Sequence, residues 1–393
     1  MTGGASPRRE RRDGVPVVAW EDRAGCSRVA LDRCPHRRAP LSAGTVEDGV
    51  LRCPYHGWAF DGSGTCVEIP ALGPDARVPA RARLAMVDEA DPTTLVDDLA
   101  EETGPWLDGD TPGLEHFWHP LARIGELVVG ETTTVELLGS AWQVTPVGEG
   151  PPVVTGPDGE PPAEVRFHLD HVWIAPRPPR TPLPEVAEWG DPDWHHLRLT
   201  RAEGRYGVGL LLDNQLDAGH FAFVHRATFG RPETALLPRP EVHARDAVVT
   251  SVLRVPIAAR NDPSAGGGNP VEQHRTMTYE FHAPLWLSLR LDYEELGGST
   301  LILFAFVPLG AGRARVDVDL LFQHPDGFTP EQLAERLAFE ETVVGEDLAL
   351  QRQYDDLRLP LDPTVELHTR ADRYSVVCRD LIRSLLDEVS SSG

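Results

Sequence analysis

Short apolar runs separated by turn residues make up residues 15–78. Residues 15–20 and 29–31 are two such runs, and Gly, Asp and Pro residues interrupt the sequence around them. Short runs of β-branched and aromatic residues bounded by turn residues are typical of β-strands. The pattern therefore predicts a small all-β unit built from strands and hairpins.

Strand patterns return after residue 126 and continue through the second half of the chain. Residues 127–144 and 165–174 have this pattern, with a Gly- and Pro-rich loop at 148–162 between them. From about Trp194 onward, further strands are predicted at 196–200, 247–255, 276–281, 286–293, 301–307 and 315–322. Two helical stretches accompany these strands, so the second half is predicted to be an α+β domain.

The helical stretches are residues 210–225 and a longer stretch that begins at Thr329. Thr329 is a suitable N-cap, Pro330 fits the first helical position, and Gln332 completes a capping box. This helix is expected to reach about Asp355.

An acidic segment separates the two sets of strands. Residues 86–113 contain nine acidic residues, namely Asp88, Glu89, Asp91, Asp97, Asp98, Glu101, Glu102, Asp108 and Asp110. Such a concentration of like charge is typical of a solvated linker. The segment is therefore predicted to be a connector, with room for a short helix.

The composition narrows the class of protein. The 393 residues include 61 acidic and 37 basic residues, which gives a net charge of −24 and argues against a nucleic-acid partner. The odd count of five cysteines argues against a disulfide-stapled secreted scaffold and for a reducing cytoplasm. No apolar run approaches the roughly 18 residues of a membrane span, so no membrane partner is expected.

Two cysteines and two histidines form the strongest chemical motif. Cys34 and His36 lie in one Pro-containing turn, and Cys53 and His56 lie in a second. Each turn offers one thiolate and one imidazole to a common centre. A tetrahedral zinc site has the same ligand count, but zinc fingers usually pair Cys with Cys and His with His. The mixed pairing favours a Rieske [2Fe-2S] centre.

A second candidate metal site lies in the helical stretch at 210–225. Asp217 and His220 are three residues apart and share a face of an ideal helix, whereas His220 and His225 converge on one ion only if the helix bends. Two histidines and one carboxylate make the facial triad of non-haem Fe(II) oxygenases. Asp347 is the first candidate for the carboxylate because it lies within the apolar face of the helix from Thr329, and Glu340 is the second.

The two motifs together resemble the Rieske non-haem iron oxygenases, the aromatic-ring-hydroxylating dioxygenase alpha-subunit family. The text "LDRCPHRRAPLSAG" and "LRCPYHGWAFDGSGTCVEIP" is similar to the Rieske domain of that family. The family's Asp-x2-His-x4-His motif is matched by Asp217, His220 and His225, and its later Glu-Asp pair is matched by Glu346 and Asp347.

The resemblance implies a fold, two cofactors and a set of ligands. The expected fold is an all-β Rieske domain followed by an α+β helix-grip, or START-like, catalytic domain with an antiparallel sheet. A Rieske [2Fe-2S] cluster would be held by Cys34, His36, Cys53 and His56, with the cysteines on the inner iron and the histidines on the outer one. A mononuclear Fe(II) would be held by His220, His225 and Asp347. Asn214 matches a family position close to this iron.

The resemblance also implies an activity and partners. The chain would be an oxygenase component that uses O2 and electrons from a ferredoxin or flavin reductase to hydroxylate or oxidatively dealkylate a small organic substrate. A monooxygenase or demethylase is favoured over a cis-dihydroxylating dioxygenase. Family members form head-to-tail homotrimers, in which Asp217 would link His56 of one subunit to His220 of the next.

Two other function classes stay open at this stage. A Rieske-type electron-transfer protein without oxygenase activity would explain the first motif, although proteins of that kind are small and lack the second motif. A zinc-binding interaction module would be colourless, whereas a Rieske centre is red-brown and contains acid-labile sulfide.

The order of the segments departs from the family's usual order. The opening phrase of the family, aromatic-Trp-His-Pro, is missing before Cys34, and a similar segment occurs at 115–144 as "EHFWHPLARIGELVVGETTTVELLGSAWQV". Residues 165–185 resemble the usual close of the Rieske domain. We therefore predict a circularly permuted Rieske domain over 15–190, which includes the connector, and a catalytic domain over 191–393. A truncated N-terminus followed by an unrelated insertion is the alternative.

Overall fold

The computed structural model describes residues 6–87, 104–148, 150–257, 273–295 and 297–392. The greater part of the connector predicted at 86–113, together with the short helix expected in it, lies outside these ranges.

Two small antiparallel sheets form the first unit, residues 6–87. One contains β1 (Arg8–Arg12), β2 (Val15–Glu21) and β3 (Ser27–Leu31), and the other contains β4 (Thr45–Glu47), β5 (Val50–Arg52), β6 (Ala59–Phe60) and β7 (Cys66–Glu68). Asp13 and Gly14 both have positive φ angles in the two-residue turn between β1 and β2, which matches the twist of a tight hairpin. The first of these sheets thus begins at Arg8, whereas the domain was predicted to begin at residue 15.

A second set of strands, which we call the middle layer, follows over residues 119–175. After the short strand β8 (Trp106–Leu107) come β9 (His119–Arg123), β10 (Thr133–Leu137), β11 (Ser140–Thr145), β12 (Val153–Thr155), β13 (Glu164–His168) and β14 (His171–Ala175). Strands β10, β11 and β12 form one sheet, and β13, β14 and β9 form another. Within the described part of the chain, the middle layer makes no ladder pairing with β1–β7.

The middle layer therefore has its own ladders, and the permuted order stays a prediction. Deletion of residues 115–144 tests it, since a strand pair that completes the cluster-bearing unit would be needed for cluster assembly.

An eight-stranded antiparallel sheet dominates the rest of the chain. Its strands are β15 (His195–Arg198), β16 (Ala202–Gly204), β17 (Glu241–Arg245), β18 (Val248–Ile257), β19 (Gln273–His282), β20 (Trp286–Tyr293), β21 (Ser299–Gly310) and β22 (Arg313–Gln323). The order across the sheet is β15-β22-β21-β20-β19-β18-β17, and β16 also pairs with β22. Strands β21 and β22 are buried along almost their whole length because both faces of the sheet are covered there.

Four α-helices accompany this sheet in the described residues. They are α1 (Val208–Gln215), α2 (Phe221–Val224), α3 (Pro330–Gln351) and α4 (Arg373–Ser392), and a last short strand, β23 (Leu359–Pro360), pairs with β8. The capping box at Thr329 and Gln332 is present as predicted. The α+β architecture with an antiparallel sheet is confirmed, whereas α4 was not predicted.

The helical stretch predicted at 210–225 is two helices rather than one. Helix α1 ends at Gln215 and α2 begins at Phe221, so Asp217 and His220 lie in the connecting turn and not on one helix face. The physical reason is that the turn carries Gly219, and Asp217 accepts a hydrogen bond from its backbone N–H at 2.6 Å in place of a helical bond. His220 and His225 were expected to converge through a bend in one helix; instead the helix is interrupted between Gln215 and Phe221.

One apolar core runs through the first unit and the long sheet. Buried side chains such as Val18, Trp58 and Phe60 belong to the same cluster as Leu212, Phe281 and Phe306. The middle layer has a separate core, in which Leu121, Leu137 and Val172 pack with Val307 and Leu309 of β21.

Candidate functional site

Two matched turns present the cysteines and histidines of the first motif. In the first turn, the N–H of Cys34 donates to the carbonyl of Ala39, and in the second the N–H of Cys53 donates to the carbonyl of Trp58, both at 2.9 Å. Gly57 has a positive φ of 67°, and a Cβ atom there would clash with the ring of Phe223. The second turn therefore requires glycine in order to approach the catalytic domain.

All four predicted cluster ligands are buried and face one another. Cys34, Cys53, His36 and His56 are at most 3% exposed, and the two imidazole rings lie 4.4 Å apart between centroids. Both cysteines are free thiols. The ring of His36 stacks on Trp58 at 4.7 Å.

The hydrogen bonds of the imidazoles fit a bound cluster. Nε2 of His36 lies 2.9 Å from Asp372, and Nε2 of His56 contacts Asp217. Nδ1 of His36 is buried and has no hydrogen-bond partner. Metal-bound histidines usually donate their other ring N–H to a carboxylate. The donor set, two thiols and two imidazoles anchored through Nε2, thus suits a Rieske cluster.

A buried ion-pair network surrounds these histidines. The guanidinium of Arg37 contacts Asp213, lies 3.3 Å from Asp217 and 2.9 Å from Asp372. Burial acts to raise the pKa of Asp217, but His56 and Arg37 outweigh it and hold the pKa well below its usual range. Burial also lowers the pKa of His56 to about 4, against the opposing effect of Asp217.

Three side chains form the second predicted metal site. Nε2 of His220 lies 3.2 Å from Nε2 of His225, and Oδ1 of Asp347 lies 3.4 Å from each nitrogen. All three residues are buried, and Oδ1 of Asp347 has no hydrogen-bond partner. Two imidazole nitrogens and a carboxylate oxygen turned towards one point fit a facial iron triad. The first choice of carboxylate, Asp347, lies in this triad, whereas Glu340 lies in the adjoining cavity.

Neighbouring polar groups orient the triad. Nδ1 of His225 lies 2.9 Å from Glu346, which also accepts from the hydroxyl of Thr228 at 2.7 Å. Gln215 donates to Asp347 at 3.0 Å. Burial works to raise the pKa of Asp347, but His225 and His220 outweigh it and lower the pKa to about 2, with a smaller contribution from Asn214. Asn214 therefore lies close to Asp347, and its place beside a bound iron stays a prediction.

The two sites lie next to each other within one chain. The rings of Tyr55 and His220 are 5.9 Å apart between centroids, and Asp217 lies between the two sites. The predicted bridge links His56 to His220 through Asp217. The contact between His56 and Asp217 is present, whereas Nδ1 of His220 has no hydrogen-bond partner, so the contact between Asp217 and His220 is absent. The resemblance had placed this contact between two subunits.

Several residues of the site were not found from the sequence. Asp213, Arg379, Glu366 and Asp372 extend the network of Arg37: Arg379 donates to Asp213 at 2.6 Å and to Glu366 at 2.6 Å. The partners of this network are distant in sequence, so no local spacing indicates them.

A cavity opens beside the triad, with about 600 Å³ of empty space when the part open to solvent is included. Its lining is mostly apolar and includes Leu289, Leu291, Ile302, Phe304, Val318 and Leu320 from the long sheet. His225 and Asp347 reach its wall. An apolar pocket with a few polar groups at one end is the usual form of a small-molecule site.

The fold and the two metal sites define a class of oxygenase with a Rieske cluster and a mononuclear iron. Residues 2–86 match the Rieske [2Fe-2S] domain family, and residues 207–388 match the family described as the vanillate O-demethylase oxygenase C-terminal domain. The chain belongs to the Rieske non-haem iron oxygenases.

Curated relatives match over limited stretches. Protein TIC 55 of Arabidopsis thaliana, a chloroplastic protein, is 38% identical over 104 residues, which is 26% of this chain and 19% of that protein. The 4beta-methylsterol monooxygenase of Methylococcus capsulatus is 47% identical over 72 residues, which is 18% of this chain and 20% of that protein. The matched stretch spans about a fifth of the length of these relatives.

Solved structures match along most of the chain at low identity. Pseudomonas putida CBB5 NdmA with caffeine is 18% identical, with a TM-score of 0.48 over 97% of this chain and 85% of that one. Dicamba monooxygenase bound to dicamba is 17% identical, with a TM-score of 0.43 over 98% of this chain and 94% of that one. Scores at this level give no guide to the substrate.

In the part of the chain that the structure describes, no helix has both the length and the apolar character needed to cross a bilayer.

Proposed function

We propose that the chain is the oxygenase component of a Rieske-type system, which uses O2 and external electrons to oxidise a small organic molecule. One observation carries the proposal: the four cluster ligands and the iron triad lie side by side, with Asp217 between them. A pure electron-transfer protein would have no use for a buried triad that opens into an apolar cavity.

The roles of the residues follow from their contacts. Cys34, His36, Cys53 and His56 would hold the cluster, and His220, His225 and Asp347 would hold the mononuclear iron. When bound, the two groups supply electron storage and O2 activation. Asp217 contacts Nε2 of His56, and Glu346 lies 2.9 Å from Nδ1 of His225. Each carboxylate therefore holds its imidazole in one orientation and one tautomer.

The cavity wall determines what reaches the triad. Apolar side chains exclude bulk water and leave the substrate in contact with His225 and Asp347 at one end. The apolar lining suits a small organic molecule, and we expect hydroxylation or oxidative dealkylation of such a substrate, in the manner of a monooxygenase or demethylase. A ferredoxin or flavin reductase would supply the electrons.

The assembly and the compartment remain predictions. The resemblance implies a homotrimer, and the cysteine usage favours the cytoplasm. Within the single chain described here, His56 contacts Asp217.

Metal analysis combined with product formation tests the proposal. We expect about three irons and two acid-labile sulfides per chain, a red-brown spectrum, and O2 consumption with a reductase and a substrate. The variant His225→Ala should lose about one iron and all product formation but keep the visible spectrum. Two irons in the unmodified chain, with no O2 consumption, would instead support the electron-transfer alternative. A colourless zinc protein would contradict both.

A further inference from the structure

Arg275 occupies an unusual place in strand β19. Along this strand, Arg275, Met277, Tyr279 and Phe281 are buried, while the residues between them are only partly so. Alternate residues of a strand face the same side. A guanidinium group thus lies in the row of side chains that forms the apolar face of the sheet, and only 5% of Arg275 is exposed.

Among the residues that the structure describes, no carboxylate neutralises the charge of Arg275. Among the described residues, no hydrogen bond or ion pair of its guanidinium occurs, and Nε is buried without a partner. Its contacts are the rings of Phe221 and Phe229, at 5.5 and 5.4 Å from their centroids. Cation–π contacts offset only part of the cost of burying a charge. Within the described part of the chain, this buried cation has no anionic partner, and a bound anion would supply one.

The position of Arg275 links it to the iron triad. Arg275, Phe221 and Phe229 line both the cavity beside the triad and a neighbouring cavity of about 580 Å³. Phe229 stacks on His225 at 4.9 Å, and Phe221 lies edge-on to His220 at 4.7 Å. One aromatic ring therefore separates the guanidinium from each triad imidazole.

The rest of the lining fits a molecule with one charged end. Besides Asp347 of the triad, the cavity lining contains one further carboxylate, Glu340, which would repel a second anionic group. The amide of Gln215 and the phenol of Tyr293 are polar, and the other lining side chains from β20, β21 and β22 are apolar. A molecule anchored by an anionic group at Arg275 would therefore place its apolar body against these strands and beside the triad.

We propose that Arg275 binds the carboxylate of the substrate, which is a small organic acid with an apolar body. This inference rests on the proposed function, since it assigns the cavity beside the triad to the substrate. Hydrogen bonds between a guanidinium and a carboxylate are stronger than neutral ones and are often bidentate.

Equilibrium binding to the metal-loaded protein tests the proposal without turnover. The probes are a panel of arene and alkane carboxylates, each paired with its uncharged amide, and binding is followed by tryptophan fluorescence and calorimetry. In the unmodified protein, at least one carboxylate should bind about tenfold or more tightly than its amide. In Arg275→Met this preference should disappear.

Controls separate anion binding from a structural role. Arg254→Gln removes an arginine from the neighbouring strand, where it pairs with Glu294 at the surface, and should leave the preference unchanged. If Arg275→Met fails to fold, the unmodified protein and Arg275→Gln still decide the question. The proposal would be overturned if every acid bound as tightly as its amide. It would also be overturned if Arg275→Met or Arg275→Gln kept the full preference for a carboxylate over its amide. Because iron content is measured separately, failure here leaves the proposed function intact.

Discussion

The first unit and the middle layer are both small antiparallel β structures, but they contact the catalytic domain through different chemistry. The first unit contributes Arg37, which is surrounded by three buried aspartates of the catalytic part. The middle layer contributes an apolar core in which Leu121 and Val172 pack with Val307 and Leu309. Apolar packing joins the first unit to the long sheet as well, and Arg123 of the middle layer lies 3.6 Å from Asp317. The two contacts therefore differ in the cluster of three buried carboxylates around Arg37, which is specific to the first unit among the described residues.

The difference between these two contacts suggests a different role for each. Apolar burial stabilises but is non-directional, so it tolerates small shifts. A buried guanidinium among three carboxylates is costly unless each partner is in place, and for that reason it fixes position. In this molecule the positional contact is the one next to the cluster ligands and the triad, whereas the middle layer serves the stability of the long sheet.

The largest effect is expected for Arg37→Met. Removal of the cation leaves Asp213, Asp217 and Asp372 buried without it, so the free energy of unfolding should fall by about 3–5 kcal/mol. Product formation should be lost as well. Urea unfolding and product analysis measure both effects.

Arg28→Met provides the matched control for this prediction. Arg28 pairs with Asp22 on the surface of the same unit, where water and salt screen the two charges, so its loss should change the free energy of unfolding little. A variant Arg37→Met with the stability and activity of the unmodified chain would show that the electrostatic contact does not position the unit.

Asp217→Asn should have the next largest effect, and on activity rather than on folding. Asn keeps the size of the side chain but loses the charge that faces Arg37 and His56. We expect both metal centres to remain loaded, as judged by iron content and visible absorption, while product formation falls by about 100-fold or more. Substantial activity in Asp217→Asn would contradict the role of Asp217 between the two sites.

The sequence was most informative where the chemistry is local. Cys34 and His36, like Cys53 and His56, lie within one turn, so their spacing and mixed pairing are enough to predict a cluster site. Asp347 was predicted as a ligand because a carboxylate within an apolar helix face needs a compensating partner. The long helix from Thr329 could likewise be predicted, since its cap depends on residues three positions apart.

The parts of the site that the sequence did not predict depend on contacts between distant segments. The partners of Arg37 come from residues 213, 217 and 372, and no spacing in the sequence joins them to position 37. The juxtaposition of the two sites within one chain has the same origin. Arg275 could have been noticed in the sequence, because it is the charged member of an alternating series of buried residues that continues with Met277, Tyr279 and Phe281.

Leu121→Ala tests the middle layer. Leu121 is fully buried in the apolar core, and its truncation should lower the free energy of unfolding by about 3 kcal/mol. The visible absorption of the cluster should not change. Val128→Ala, at a position that is 55% exposed, should have little effect. Loss of the cluster in Leu121→Ala would mean that the middle layer supports the first unit, as the permuted order predicts.

The smallest expected effect concerns pH and a histidine of the middle layer. His119 is fully buried and hydrogen-bonds through Nε2 to the carbonyl of Leu114 at 2.8 Å. Burial lowers the pKa of His119 from 6.5 to about 4. Between these two values the unfolded chain binds a proton that the folded chain does not, so stability falls as the pH decreases.

The contribution of His119 to this loss can be isolated with a neutral replacement. Its pKa shift corresponds to about 2 kcal/mol of stability lost between pH 7 and pH 5. Gln can donate to the carbonyl of Leu114 without titrating, so His119→Gln should lose less stability over this range, as measured by urea unfolding at each pH. His243→Gln, at an exposed position of β17, should lose as much as the unmodified chain. An equal loss in His119→Gln would mean that acid destabilises the protein elsewhere. The expected result would instead show that burial alone, without a buried ion pair, makes the middle layer sensitive to acid.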